Sequence, residues 1–259
     1  MYKSTDAGRT WRHLGLDGAQ QIASIVIDPA DPNRLFVAAL GHPYGANPER
    51  GVYRSLDGGT TWSKVLFRDE NTGAVDVALD PADPTVVYAV LWAARQGPWE
   101  YDNGYAGPGS GLFKSTDGGT TWHRIGEGLP TPAEGLGRIG IGIAPSDPHR
   151  MYALVEAPRG GLFRSDDAGD HWIKVDSEER VYGRGNDFAD VAVDPRDANT
   201  IFVANTSMYR STDAGVHFTA VKGAPGGDDY HTIWIDPIHP GTMLLGVDQG
   251  ATITVNGGR

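Results

Sequence analysis

The chain has 259 residues, of which 39% are apolar and 21% charged, a composition that supports one large core and excludes a disordered chain. Its 22 basic and 33 acidic side chains give a net charge of −11, and no basic run is interleaved with aromatic residues, so nucleic acid and anionic membranes are excluded as expected partners. The absence of cysteine excludes disulfides and thiolate chemistry, and no apolar stretch is long enough to span a bilayer.

One pattern, S-x-D-x-G-x-T-W, recurs along the chain from Ser4 onward. Its central positions are Asp6, Asp57, Asp117, Asp167 and Asp213, with Asn256 in a sixth, shortened copy. These positions are 43 to 60 residues apart, close to the length of one propeller blade. A repeat of this period excludes a single Rossmann-type unit.

Three short strands are predicted between copies of the pattern, and a fourth follows each copy. V-A-L-D-P (77–81) is typical of the first strand, T-V-V-Y-A-V (85–90) of the second, G-L-F-K-S (111–115) of the third and W-H-R-I (122–125) of the fourth. All four are rich in β-branched or aromatic residues and end at Gly, Pro or Asp turns. No segment has a sustained 3.6-residue apolar period, so few helices are expected.

Four antiparallel strands repeated in this way predict an all-β fold, a β-propeller with four-stranded blades. We expect residues 1–259 to form a single propeller region. Complete blades are predicted at about 22–66, 74–125, 137–175 and 188–222, with partial blades at 1–14 and 231–259. Because both end blades are partial, we expect the chain to be a fragment of a larger propeller whose remaining blades would be its partners.

Within the repeated pattern, the Asp side chain is expected to accept backbone N–H groups, the Gly to take a positive φ, and the Trp ring to fold over the turn and be buried. The pattern resembles the Asp-box or BNR repeat found in sialidases, xyloglucanase-type glycoside hydrolases and sortilin-type receptors. The resemblance implies that each box joins the third and fourth strands of a blade, on the face opposite the functional site. The box aspartates are therefore predicted to be structural.

Function is expected in the loops at the other ends of the sheets, which join strand two to strand three and strand four to the next blade. Predicted ligand-binding residues in these loops are Trp92, Arg95, Trp99, Tyr101, Arg138, Asp229 and His231. The aromatic residues of the 92–105 insertion could stack on sugar rings, and the alternative is that they form a small apolar core of the loop. Arginines in the same loops, Arg68, Arg95, Arg138 and Arg184, could bind a carboxylate-bearing ligand or form structural ion pairs.

Glycoside hydrolysis needs two carboxyl groups across the scissile bond, and the catalytic candidates are Asp248, Asp69 and Glu70. Asp248, in G-V-D-Q-G-A-T, resembles the D-I-G-G segment that carries a catalytic Asp in xyloglucanase-type enzymes. Gln249 and Ala251 depart from that segment. In that family the acid and the base come from two separate propellers, so this chain would supply one of them.

Other catalytic patterns are missing from the sequence. The R-I-P signature of sialidases is absent, as are H-E-x-x-H, G-x-S-x-G and P-loop patterns, so we predict neither a metal site nor a cofactor. Whether the chain is an enzyme stays open, and a typical sialidase is excluded.

The sequence from Gly41 to Ser55, followed by D-E-N-T-G-A-V-D, resembles that of large bacterial BNR-repeat proteins. These proteins are named as glycosyl hydrolases and are related to the sortilin N-terminal propeller. The resemblance implies an exported protein. Two functions remain open. One is a glycosyl hydrolase-like propeller that binds or processes carbohydrate polymers on the face opposite the boxes. The other is a non-catalytic sortilin-like propeller that binds peptides or proteins, or an assembly factor.

Overall fold

The computed structural model describes residues 1–97, 103–222 and 227–258. Across these ranges the regular structure is almost entirely β-sheet, with one short α-helix, α1 (Glu179–Tyr182). The chain forms two compact units, Met1–Arg124 and Ile125–Arg259. Within the described ranges, no helix has the length and apolar character needed to cross a membrane.

The first unit contains a two-stranded sheet and two four-stranded sheets. The short sheet pairs β1 (Tyr2–Lys3) with β2 (Arg12–His13). The next contains β3 (Ile22–Ile27), β4 (Leu35–Ala39), β5 (Gly51–Ser55) and β6 (Ser63–Leu66). The third contains β7 (Thr72–Leu79), β8 (Val87–Ala93), β9 (Gly111–Ser115) and β10 (His123–Ile125).

The second unit contains two four-stranded sheets and a three-stranded sheet. The first has β11 (Ile139–Ala144), β12 (Asp147–Val155), β13 (Gly161–Ser165) and β14 (Ile173–Asp176). The next has β15 (Asp190–Asp194), β16 (Asp197–Ala204), β17 (Met208–Ser211) and β18 (Thr219–Lys222). The last has β19 (Tyr230–Ile235), β20 (Met243–Val247) and β21 (Gly250–Thr254).

Neighbouring strands within each sheet are consecutive in the chain. In the sheet from β3 to β6, for example, Val37 of β4 lies opposite Ile25 on one side and Tyr53 on the other, in antiparallel register. Four-stranded antiparallel sheets repeated along the chain, with shorter sheets near its ends, confirm the predicted fold class, an all-β propeller.

The second strand of each four-stranded sheet is the centre of the core. All five residues of β4 are buried, and Val87 to Leu91 of β8 are fully buried. In β4, Phe36 and Ala38 belong to one apolar cluster, and Val37 and Ala39 belong to another, so neither face of this strand reaches water. Phe36, Val77 and Phe113 belong to one apolar cluster between stacked sheets of the first unit.

In each four-stranded sheet, the Asp box forms the turn between the third and fourth strands, as expected. Between β5 and β6, Oδ1 of Asp57 accepts hydrogen bonds from Ser55 Oγ and from the Thr61 backbone N–H, both at 2.8 Å. Thr61 Oγ1 donates to Oδ2 of the same carboxylate at 2.7 Å. Gly59 takes a φ of 89°. These hydrogen bonds, led by the backbone N–H of Thr61, lower the pKa of Asp57 to about 2, which suits a structural anion.

The box tryptophans are not buried to the same extent. Trp172 is 4% exposed, and its Nε1 donates to the Gly169 carbonyl at 2.7 Å. Trp11 makes the equivalent bond to Gly8 at 3.0 Å but is 62% exposed. Trp11 belongs to the two-stranded sheet, which has fewer strands to pack against its ring. The expectation of a buried ring is therefore wrong for this copy.

Candidate functional site

Chain direction places the predicted site residues at one end of their sheets. In an antiparallel meander, the loops after strands two and four emerge at the same end, and the turn after strand three emerges at the other. Asp69 and Glu70 follow β6, Arg95 follows β8 and Asp248 follows β20, whereas the Asp boxes follow third strands. Trp99 and Tyr101 lie outside the described residues.

In the second unit, Asp248 and His231 meet across β19 and β20. Nε2 of His231 lies 2.8 Å from Oδ1 of Asp248, and their side chains are 40% and 56% exposed. The register of β19 shifts between Tyr230 and Thr232, so His231 occupies a β-bulge. A bulge redirects the side chain it carries. Here that side chain is directed onto the carboxylate at the end of β20.

Asp229 and Arg184 extend this site. The backbone N–H of Asp248 donates to the Asp229 carbonyl at 3.3 Å, and Nη1 of Arg184 lies 3.5 Å from Oδ1 of Asp229. Arg184 also donates to Oδ2 of Asp187 at 2.7 Å. Both Arg184 and Asp229 have left-handed backbones, with φ of 58° and 50°. Such conformations are strained for these residues, and they occur frequently at functional sites.

Phe188 forms the apolar floor of the site, and no sequence pattern singled it out. Its ring is 2% exposed, the guanidinium of Arg184 lies 4.7 Å above its centroid, and the His231 ring packs 5.0 Å from it. Phe188 thus holds a guanidinium and an imidazole beside the same ring. The loop between β14 and β15 brings it there, and sequence alone does not reveal that loop's conformation.

Glu156 is a second carboxyl in this unit that sequence reasoning did not select. Burial raises the pKa of Glu156, against the opposing effect of hydrogen bonds from the backbone N–H groups of Arg138 and Asn186. Arg138 itself donates from Nη1 to the Asp187 carbonyl at 3.0 Å. Contacts therefore run continuously from Glu156 through Arg138, Asp187, Arg184 and Asp229 to Asp248.

Repeat alignment contains the signal that could have identified Glu156. Tyr152 and Leu244 occupy equivalent positions in β12 and β20, since each pairs with the same position of the following strand. Glu156 and Asp248 each come four residues later, directly after the second strand of their sheets. Two carboxylic acids thus share one position in the repeat, in different environments.

In the first unit, Arg50 holds three loops together, and it was not anticipated either. This side chain is fully buried and donates to the carbonyls of Asn71, Ala94, His42 and Gly45 at 3.0 to 3.3 Å. The pKa of Arg50 is lowered, first by burial and then by the charge of Arg95. A buried guanidinium bound to four carbonyls fixes the loops that follow β4, β6 and β8.

Asp69, Glu70 and Arg95 lie in those loops. Oδ1 of Asp69 accepts the Asn71 N–H at 2.8 Å and Thr72 Oγ1 at 2.9 Å, so this carboxylate caps a turn. Arg95 donates to Oδ1 of Asn71 at 2.5 Å. Glu70 is exposed, and its backbone carbonyl accepts the Asn47 N–H at 2.9 Å. Of the two predicted carboxylates, the Glu70 side chain is the more accessible.

Trp92 is 5% exposed, its Nε1 donates to the Tyr105 carbonyl at 2.8 Å, and the two rings stack 5.8 Å apart. The described part of the insertion matches the alternative of a small apolar core within the loop. Outside the undescribed segments, no group of three or more His, Asp or Glu side chains is arranged to hold a metal ion.

Sequence comparisons identify the repeat and several relatives. The BNR/Asp-box repeat model matches residues 53–64 and 113–124. A xyloglucanase of Acetivibrio thermocellus is 29% identical over 214 residues, which cover 80% of this chain and 20% of the relative. A Paenibacillus xyloglucanase is 27% identical over 254 residues, covering 85% of this chain and 23% of the relative.

Solved structures show the same fold. A structure of an ancestral GH74 enzyme aligns with a TM-score of 0.69 and 18% identity, covering 96% of this chain and 32% of that chain. The GH74 xyloglucanase from Xanthomonas campestris aligns with a TM-score of 0.62 and 18% identity. The alignment covers 99% of this chain and 48% of that chain. YCF48 with a bound peptide aligns with a TM-score of 0.61 and 18% identity. The alignment covers 99% of this chain and 72% of that chain.

The chain spans about a fifth of the length of the curated xyloglucanases it matches, so these comparisons concern one part of such proteins. The box turns, the repeated sheets and the matched repeat model agree with one another. The chain is a β-propeller built from BNR/Asp-box repeats, with xyloglucanases among its relatives.

Proposed function

We propose that the chain is a glycosyl hydrolase-like propeller region that binds or processes a carbohydrate polymer at the sheet ends opposite the Asp boxes. The observation that carries the proposal is Asp248, an exposed carboxylate held by His231 where β20 ends. Carboxylates that accept hydroxyl hydrogen bonds are suited to sugars, and sugar-processing sites require them. The xyloglucanase relatives support a β-glucan of the xyloglucan type as the ligand.

Two different carboxyl environments support the same proposal. Asp248 is exposed and beside an imidazole, whereas burial raises the pKa of Glu156. Glycoside hydrolysis uses one ionised and one protonated carboxyl, and burial favours the protonated form of a carboxyl such as Glu156. We propose Asp248 as the carboxylate that contacts the sugar and Glu156 as the buried acid of the same face.

A non-catalytic binding propeller is the second candidate. Its specific support is the structural match to YCF48 with a bound peptide, of which this chain covers 72%, a larger share than of either GH74 structure. Under this proposal, the arginines and acids around Phe188 would contact a peptide, and no hydrolysis would occur.

Isothermal titration of the chain with xyloglucan oligosaccharides, and separately with peptides, tests the proposal. Asp248→Asn keeps the shape of the side chain and removes its charge, so we expect the dissociation constant for the oligosaccharide to rise at least tenfold. Asp147→Asn is the matched control, because Asp147 is 51% exposed in the same unit and begins β12 at the box end of its sheet. Hydrolysis of soluble xyloglucan is assayed in parallel.

Oligosaccharide binding that Asp248→Asn weakens and Asp147→Asn leaves unchanged supports the proposal. Equal binding by both variants, or the absence of oligosaccharide binding by the unmodified chain, rejects the site. Peptide binding lost in Asp248→Asn, without oligosaccharide binding, would favour the second candidate.

A further inference from the structure

Each four-stranded sheet places a basic side chain over an aromatic ring of its third strand. The pairs are Lys64 over Tyr53 at 5.5 Å, Arg124 over Phe113 at 5.4 Å, Lys174 over Phe163 at 5.6 Å and Arg180 over Tyr209 at 5.3 Å. The cation comes from the fourth strand in the first three pairs and from α1 in the last. Because the contact recurs in all four sheets, one cation over each ring belongs to the fold.

Phe113 differs from the other three rings because it has a second cation. Cζ of Arg68, from the loop after β6, lies 5.9 Å from the centroid of the Phe113 ring, in addition to Arg124. The fold does not require this second guanidinium, since each of the other three rings has one cation among the residues that the structure describes. Comparison of the four sheets therefore identifies Arg124 as the cation that the fold repeats and Arg68 as an additional one.

The two guanidinium groups have no acidic partner in the described parts of the chain. Arg124 donates to the Pro108 carbonyl at 3.2 Å, and neither Arg68 nor Arg124 forms an ion pair with a carboxylate of residues 1–97, 103–222 or 227–258. By contrast, Arg180, the equivalent arginine of the fourth such sheet, pairs with Glu178. The pKa of Arg124 is lowered, first by burial and then by the charge of Arg68.

The loop that carries Arg68 also carries an exposed aromatic residue. Phe67 directly precedes Arg68, is 42% exposed, and has Nζ of Lys64 4.7 Å from its centroid. The surface around Arg68 and Arg124 therefore carries two guanidinium groups over one ring, and the residue before Arg68 is a partly exposed phenylalanine. The two guanidinium groups are a local concentration of positive charge in a chain whose net charge is −11. Such a surface attracts anions that the rest of the protein repels.

We propose that this surface binds the carboxylate of a uronic acid unit in an acidic glycan. Guanidinium groups bind carboxylates through paired, charge-assisted hydrogen bonds, and Arg68 and Arg124 have N–H groups free for such bonds among the described residues. The exposed ring of Phe67 offers an apolar surface to the C–H face of a pyranose, which an acidic peptide would not need. The proposal goes beyond the proposed function, because it concerns a different surface, in the first unit, and a charged ligand.

The test is titration of the unmodified chain with trigalacturonate and with a neutral xyloglucan oligosaccharide, at low and at physiological salt. We expect Arg68→Gln to raise the dissociation constant for trigalacturonate about tenfold or more, the size expected for loss of a charge-assisted hydrogen bond. The unmodified chain should lose affinity as salt screens the guanidinium pair. Arg180→Gln is the matched control, since it removes an arginine from the equivalent ring contact where Glu178 already pairs with it.

Several outcomes would overturn the inference: no binding of trigalacturonate, equal effects of Arg68→Gln and Arg180→Gln, or tighter binding of an oligoglutamate peptide than of the uronate. If Arg68→Gln does not fold, Arg68→Lys gives the readout, and we expect intermediate affinity because lysine keeps the charge and loses the paired geometry. Asp248→Asn should leave uronate binding unchanged, so failure of the proposed function and failure of this inference are distinguishable.

Discussion

Nε2 of His231 lies 2.8 Å from Oδ1 of Asp248, and a β-bulge in β19 produces this contact. The bulge takes His231 out of the regular ladder, while its ring rests on the buried ring of Phe188. An imidazole held in this way orients the carboxylate beside it. The pair is partly exposed, so its contribution to stability is small, of the order of 0–1 kcal/mol.

The first prediction tests whether His231 positions Asp248 for ligand binding or instead stabilises the fold. His231→Ala should change the free energy of unfolding by less than about 1 kcal/mol and raise the dissociation constant for a xyloglucan oligosaccharide about tenfold. His231→Gln, which can keep a donor near Asp248, should recover part of the affinity. Urea unfolding and calorimetric titration measure the two quantities. A loss of stability without a loss of affinity would make His231 structural.

A second prediction concerns the acid sensitivity of the Asp boxes. The pKa of Asp57 is lowered from 3.8 to about 2, first by the Thr61 backbone N–H and then by the Thr61 and Ser55 hydroxyls. A group whose pKa is lower in the folded state contributes stability above its unfolded pKa, and this contribution is lost as pH falls through the folded pKa. The stabilisation by Asp57 should therefore be complete above about pH 4 and vanish below about pH 2.

Asp57→Asn tests this with little change of shape. Asn256 occupies the same position in the sixth box, where its Oδ1 accepts a hydrogen bond from Thr254 Oγ1 at 2.9 Å, so asparagine is compatible with the turn. We expect the variant to be less stable than the unmodified chain at neutral pH, and the difference to disappear in acid. Thr61→Val, which removes one donor to Asp57, should show a smaller change of the same sign. A difference independent of pH would contradict the prediction.

The fourth box in the chain carries the opposite pH dependence. His171 replaces the usual threonine, its Nδ1 lies 2.7 Å from Oδ2 of Asp167, and its Nε2 lies 3.5 Å from Oε2 of Glu127. The hydrogen bond and charge of Asp167, and then the charge of Glu127, raise the pKa of His171. A raised pKa contributes stability that is complete below the unfolded value, 6.5, and is lost as pH rises through the folded value.

We therefore predict that His171→Thr destabilises the chain most below pH 6.5 and progressively less as pH rises. Thr61 and Thr121 occupy this position in two other boxes, so the turn itself should persist. Glu127→Gln should weaken the pH dependence without removing the contact with Asp167. Chemical denaturation across this pH range measures all three proteins. Parallel stability curves for the unmodified chain and His171→Thr would be inconsistent with a charged contact.

The repeat made most of the fold predictable, because period, turn residues and alternating strands all lead to the same architecture. The site was only partly predictable, since a loop residue's neighbours depend on conformation that local patterns do not encode. Asp229 precedes β19, His231 lies near its start and Asp248 follows β20, so the predicted loop positions brought these residues to the same sheet end, whereas the contact between His231 and Asp248 depends on the bulge in β19. Phe188 and Arg50 were missed because burial under loops, rather than residue type, gives them their roles.

The box turns also differ in backbone strain, which leads to a last prediction. Ala168 has a φ of 60°, whereas Gly118 occupies the equivalent position of another box at 68°. The left-handed conformation costs an alanine roughly 1–2 kcal/mol, and replacement by glycine removes this strain. Glycine also has more conformational freedom in the unfolded chain, which lowers the stability gained by about 0.4–1 kcal/mol. Ala168→Gly should therefore stabilise the chain by about 0.5–1 kcal/mol, measured by thermal and urea unfolding.

The reverse substitution at the neighbouring position should be far more costly. A Cβ on Gly119, whose φ is 80°, would lie 2.5 Å from Cε1 of the fully buried Phe36 ring. Gly119→Ala therefore combines backbone strain with overpacking of the core, and we expect it to cost about 3 kcal/mol or more. Gly118→Ala has strain without contact against a buried ring, so its cost should be intermediate. Equal costs for the two alanine variants would show that Phe36 can move, and that packing against the box turn is looser than the structure implies.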